Sequence, residues 1–135
     1  MPIFPTLPER VKGQGLANAA LTVSTPEPVS SDRRTILKAV FVTYSAVVTA
    51  NVTVTLNSGA GAAFDVRLAT ITLTAERWGW FIPPVPIPLS VGDTIDVAVP
   101  AGGTSITATA QLVLDHEYPL QDGEGGFQAD FSRGG

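Results

Sequence analysis

From Ala39 to Phe64 the chain runs for 26 residues without a charged side chain. A stretch of that length is either a membrane span or a set of strands. Thr43, Ser45, Thr49, Asn51, Thr53, Thr55, Asn57 and Ser58 would each place a polar group in hydrocarbon. Asn51 to Asn57 alternates instead, with Val52, Val54 and Leu56 on one face and Thr53 and Thr55 on the other. That is the pattern of a half-buried antiparallel strand, so no membrane contact is expected. Asn51-Val52-Thr53 matches the glycosylation sequon but reads as strand. The opening Met1-Pro2-Ile3-Phe4-Pro5 has neither a basic nor an apolar leader region, and no secretion signal is expected.

The neighbouring segments obey the same period. Thr35 to Tyr44 is apolar on both faces, with Ile36, Val40 and Val42 against Leu37, Ala39 and Phe41, which predicts a central or doubly covered strand. In Phe64 to Thr74 the apolar phase slips at Ala69-Thr70, which predicts a β-bulge. Thr94 to Val99 and Ser105 to Asp115 complete the set. Turns are marked by Ser58-Gly59-Ala60-Gly61, Ser90-Val91-Gly92-Asp93 and Pro100-Ala101-Gly102-Gly103. Pro84, Pro86 and Pro88 are spaced by two, so in an extended chain their missing N–H groups share one side. This predicts an edge segment blocked against further pairing, with Val85, Ile87 and Leu89 facing the core. A proline-rich ligand for an SH3-type domain is the alternative, which the core-like intervening residues argue against. About seven or eight short strands predict an all-β antiparallel sandwich.

The ends differ from this body. Residues 1–33 hold Pro2, Pro5, Pro8, Pro26 and Pro28, which predicts an extended arm with one short strand at Ala19–Thr25. Residues 117–135 form a glycine-rich tail that still carries Phe127 and Phe131. Asp115, Glu117, Asp122, Glu124 and Asp130 against Arg133 give residues 115–135 a net charge of −4, the value of the whole chain. The body is then 34–116.

Composition removes several chemistries. There is no cysteine and one histidine, so disulfides, thiolate sites and multi-histidine metal centres cannot form. The negative charge gives no footprint for nucleic acid, and Arg33-Arg34 is too short for a basic patch. His116 lies in Asp115-His116-Glu117 just past the last strand and reads as a surface residue. Consecutive strand residues point to opposite faces, and no Gly-x-Ser-x-Gly elbow accompanies it. Asp122, Glu124 and Asp130 could offer oxygens to calcium, but their spacing is not that of an EF-hand loop. Asp65 and Asp96 read as solvent-facing rather than as a glycosidase pair. Trp78 and Trp80 share a strand face, where they either cap the sandwich, meet a subunit or stack on a sugar. No catalytic residue, metal or cofactor is expected.

The body has the segments Arg34-Thr-Ile-Leu-Lys-Ala-Val-Phe-Val, Asn51-Val-Thr-Val-Thr-Leu, Phe81-Ile-Pro-Pro-Val-Pro-Ile-Pro-Leu-Ser-Val-Gly-Asp-Thr-Ile-Asp-Val and Ser105-Ile-Thr-Ala-Thr-Ala. Over residues 34–115 it resembles small jelly-roll virion proteins of tailed bacteriophages, and within them the capsid decoration, or cement, proteins. The resemblance implies a non-enzymatic structural role in the virion, with assembly in the host cytoplasm. It implies a compact body whose extended termini lace over neighbouring copies of a major capsid protein. Ile3, Phe4, Leu7, Phe127 and Phe131 are then the partner-binding residues. Neck, tail and fibre-attachment proteins share the pattern, and a carbohydrate- or receptor-binding module using Trp78 and Trp80 is the reading from another class. A homo-oligomer, a trimer by the habit of such bodies, is expected, and the proline-blocked edge argues against assembly by strand addition there.

Overall fold

The computed structural model describes residues 6–25 and 34–117, with only the backbone of Thr6 and Leu7. The strands are β1 (Thr6–Gln14), β2 (Leu21–Ser24), β3 (Arg34–Asn57), β4 (Val66–Phe81), β5 (Ile87–Leu89), β6 (Thr94–Val99) and β7 (Ala108–Glu117), with one 3-10 turn at Ala62–Phe64. All pairings are antiparallel and belong to one seven-stranded sheet folded on itself, a jelly-roll-like sandwich.

β3 makes the fold. Its first part pairs with β7 from Arg34↔Glu117 to Tyr44↔Ala108. On its other side it pairs with β5 through Thr35–Leu37 and with the end of β4 through Val40–Thr43. Its second part pairs with the start of β4 and with β6. β1 extends the first layer beyond β7, and β2 extends the second beyond β6. One layer is therefore β1-β7-β3-β4/β5 and the other β2-β6-β3-β4, with β3 and β4 running through both. Strands that pass from one layer to the other at a bend are a known way to make sandwich corners.

The layers meet at close quarters. A Cβ on Gly79, in the second part of β4, would lie 2.7 Å from Ile71 Cγ2 and 2.8 Å from Leu73 Cδ2, both in the first part of that strand. A Cβ on Gly13 would lie 2.6 Å from Val23 Cγ2 across the β1/β2 end. Between them sits one apolar core that includes Leu37, Val40, Val42, Val52, Val54, Ile95, Val97, Leu112 and Leu114.

At the bend the ladder breaks between Thr43↔Trp78 and Val48↔Glu76, and Ala75 takes φ 52°. The backbone donors freed there find oxygens. Ser45 N–H donates to Thr107 O, Thr107 N–H to Ser45 Oγ, and Ala75 N–H to Thr49 Oγ1. Tyr44 is buried at this corner and donates its hydroxyl to Pro100 O at 2.7 Å. Burial pushes its pKa above the usual tyrosine value.

Two bulges explain the irregular apolar phase. Leu37 faces Leu114 and Ala39 faces Val113, so Lys38 is the extra residue. The slip lets Leu37 and Val40 both enter the core, which is why the sequence there is apolar in both phases. In β4, Ala69 faces Val54 and Arg67 faces Thr55, which leaves Leu68 unpaired, one residue before the expected slip.

Three expectations are corrected. The described part of residues 1–33 is not an arm apart from the body. β1 and β2 complete the two layers, and β1 tolerates Pro8 because among the described residues it pairs only with β7, at an edge. The folded unit therefore begins by residue 6 rather than 34. Val85 is 73% exposed rather than core, because the chain leaves the sheet between β4 and β5 at residues 82–86. Pro88 does sit in an edge strand, opposite Ile36.

The close approach at Gly79 gives a test. Gly79→Ala forces a methyl against Ile71 and Leu73 and should destabilise the fold by about 1–3 kcal/mol, read as a lower urea midpoint with unchanged slope.

Candidate binding face

Alternation along β4 fixes what its end presents. Gly79 turns inward against Ile71 and Leu73, so Trp78 and Trp80 turn outward, where they are 62% and 53% exposed. The two indoles rest on each other, with centroids 5.4 Å apart and planes tilted by 36°. Phe41 lies directly opposite Trp80 on β3, and directly opposite residues share a face. Its ring is 39% exposed. Val47, exposed at the bend, borders a shallow open hollow of about 370 Å³ that is also lined by Ala75, Glu76, Arg77 and both tryptophans.

The same rows continue across β7 to β1. Phe41 faces Gln111, which faces Lys12. Thr43 faces Thr109, which faces Gln14. Arg10, exposed one row further along β1, donates from Nη1 to Gln111 Oε1 at 3.2 Å. The face is thus aromatic at its β4 edge and basic at its β1 edge.

Of the residues singled out by sequence, the structure brings together Trp78 and Trp80. Ile3, Phe4, Phe127 and Phe131 lie outside the described residues, as do Asp122, Glu124, Asp130 and Arg33. The backbone of Leu7 lies in β1 opposite His116. Asp65 accepts from Ser58 N–H, while Asp96 accepts from Ser24 Oγ and Asn57 Nδ2, so both serve local structure. Arg34 pairs with Glu117 at 2.7 Å. Among the described residues no group of three or more His, Asp or Glu side chains is arranged to hold a metal ion.

His116 corrects the sequence reading most clearly. It is 4% exposed, on the core face of β7. Its Nδ1 lies 3.0 Å from Thr35 Oγ1 and its Nε2 2.5 Å from Glu9 Oε1. The series hydroxyl–imidazole–carboxylate has the parts of a nucleophile relay, but Thr35 is 1% exposed and meets no solvent. The group instead ties β1 to β7 and β3. Asp115 and Glu117, on the opposite face, bind Lys38 and Arg34, so the acidic flanks of His116 are spent on the outside.

Phe41, Arg10 and Lys12 were missed as parts of a site. Phe41 is out of phase with Val40 and Val42, which is a readable signal of outward orientation. The basic pair was hidden because β1 itself was not expected.

No family model and no curated protein sequence matches the chain. Among solved structures it is similar to a protein of the disulfide-linked pili that form Bacillus endospore appendages, at 16% identity over 88% of this chain and 92% of that one, TM-score 0.38. The extra small virus particle of the giant freshwater prawn Macrobrachium rosenbergii gives 12% identity, 86% and 83% coverage, and TM-score 0.38. FLHE gives 17% identity, 84% and 97% coverage, and TM-score 0.33.

Removing the buried imidazole tests its structural role. His116→Ala should cost about 2–4 kcal/mol in urea denaturation, because it opens a cavity and orphans the Thr35 hydroxyl. Tryptic cleavage at Arg10 and Lys12 should accelerate as β1 loosens. Unchanged stability and cleavage would show that the relay holds nothing.

Proposed function

We propose that the chain is a structural virion protein, a capsid decoration protein that binds the outer surface of a phage head. The reading joins the sequence resemblance to one structural observation, the outward aromatic face of Trp78, Trp80 and Phe41 on a sandwich whose core is already filled. Contiguous exposed aromatic surface of this kind is the ordinary mark of an interaction site.

Magnitudes favour a repeated partner over a single one. Covering three such rings buries on the order of 300 Å² of apolar area, worth on the order of 7 kcal/mol before association costs of about 4–15 kcal/mol. One contact is marginal. A lattice of identical subunits presents many, and linkage between them raises the effective concentration of each. Ile3 and Phe4 at one end and Phe127 and Phe131 at the other would extend the contact along seams of the major capsid protein, whereas Leu7 stands in β1 opposite the buried His116 and is not part of it. Self-association into a trimer fits the same plan.

The test is cosedimentation with heads that lack the protein. Binding should saturate at a fixed number of copies per head. Trp80→Ala or deletion of residues 1–5 should weaken it tenfold or more while leaving the circular dichroism unchanged. Absence of saturable binding would contradict the reading. Low copy number would move the protein to the neck or tail. The exposed tryptophan pair also favours a carbohydrate-binding module, and glycan binding abolished by Trp80→Ala, with no head binding, would replace the decoration reading.

A further inference from the structure

We infer that the face carrying Trp78, Trp80 and Phe41 is covered, in the free protein, by this chain's own C-terminal segment, residues 118–135. The inference deepens the reading of that face as adhesive and rests on it. It also answers a question the face raises by itself, namely how a protein keeps two exposed indoles and a phenyl ring in water without associating at random.

The face has two ends with different chemistry. Its rows run Lys12–Gln111–Phe41–Trp80 and Gln14–Thr109–Thr43–Trp78. Adjacent strands stand about 4.8 Å apart, so Lys12 and Trp80 are separated by about 14 Å. Arg10 adds a second cation at the β1 end. No carboxylate stands in either row; Glu76, beside the indoles, accepts from Thr74 N–H and shares its hollow with Arg77, and the acidic residues further along β7, Asp115 and Glu117, are engaged by Lys38 and Arg34.

The segment that follows β7 has the complementary composition. It carries Asp122, Glu124 and Asp130 against Arg133, together with Phe127 and Phe131. Gly123, Gly125 and Gly126 lie between the first two carboxylates, Asp122 and Glu124, and Phe127. They have no side chain to hold the backbone off the sheet. In extended chain Glu124 and Phe127 stand about 10 Å apart, and Asp122 and Phe127 about 17 Å. Those spans bracket the 14 Å between the basic and aromatic ends. A carboxylate can therefore meet Lys12 or Arg10 while a phenyl ring meets the indoles.

Reach permits docking within one molecule. β7 ends at Glu117, six residues beyond the row of Gln111. That is about 20 Å along the strand, whereas the ten residues from 118 to 127 span up to about 33 Å. A tethered segment also avoids the cost of bringing two molecules together.

The experiment uses the free, full-length protein. Both tryptophans of the chain stand on this face, so tryptophan emission, excited selectively at the red edge of the absorption band where tyrosine does not absorb, reports on this face alone. The full chain, a chain ending at Glu117, and Phe127→Ser/Phe131→Ser are compared by emission maximum and acrylamide quenching. The truncation begins after the last residue of β7, and the double substitution keeps the test open should truncation disturb the fold. Expected is twofold or stronger quenching and a red-shifted maximum in both variants. Salt should move the full chain part of the way towards them, and Asp122→Asn/Glu124→Gln/Asp130→Asn should behave likewise. Protection in the full chain should not depend on protein concentration. Equal quenching in all three proteins overturns the inference. Protection that grows with concentration, together with a rising mass, also overturns it and assigns the segment to a second copy. No particle enters the measurement, so head binding without protection fails this inference alone, and protection without head binding fails only the proposed function.

Discussion

A straight strand of the length of β3 would measure about 80 Å, while a domain of this size has a radius of gyration of about 14 Å. β3 must therefore bend, and the place and manner of its bend set most of the architecture. Pairing with β4 stops after Thr43 and resumes at Val48. On the near side β3 serves β7 and β5, and on the far side β6. The cost of broken ladder bonds is offset locally by Ser45, Thr49 and the Thr107 carbonyl. Tyr44 fills the inside of the corner with its ring and satisfies its hydroxyl at Pro100. Because β4 follows β3 around the bend, its two parts face one another across the core, and Gly79 is the contact point.

The binding face is a consequence of that geometry. With Gly79 held inward, its two neighbours in the strand have no choice but to point outward, and both are tryptophan. Their position on a strand packed against a filled core makes the face rigid, which limits the ordering cost of any partner that docks there. β4 pairs only with β3 among the described residues, so the indoles also flank an open edge. Pro88 takes a donor away from the neighbouring edge segment.

The sequence was most informative where one rule acted alone. Val52 to Leu56 alternates without interruption because that part of β3 has a core on one face and Thr or Asn on the other. Thr94–Val99 appears in the structure with the expected limits. The shared face of Trp78 and Trp80 also follows from period two alone. Legibility failed where two rules competed. β1 contains Pro8 and Gly13, which argue for irregular chain, yet an edge tolerates the first and the packing of Val23 demands the second. The bulge at Lys38 made a one-sided strand look two-sided. His116 looked exposed because its neighbours are acidic. Burial became possible through Glu9 and Thr35, which are distant in sequence, and no local pattern reports such partners. Val85 sat among core-like residues, but Pro84 and Pro86 carry the chain away from the sheet before pairing resumes at Ile87.

The central claim is that β3 is one bent strand that welds both layers into a single unit. Native-state hydrogen exchange of its backbone amides, resolved by NMR at low denaturant, addresses this most directly. If β3 binds the layers together, the protected amides of residues 36–44 and of residues 50–56 open with the same free energy and the same denaturant dependence, equal to those of global unfolding. If the two parts open separately, with one layer losing protection while the other keeps it, the sandwich is two units joined at a hinge and the account is wrong.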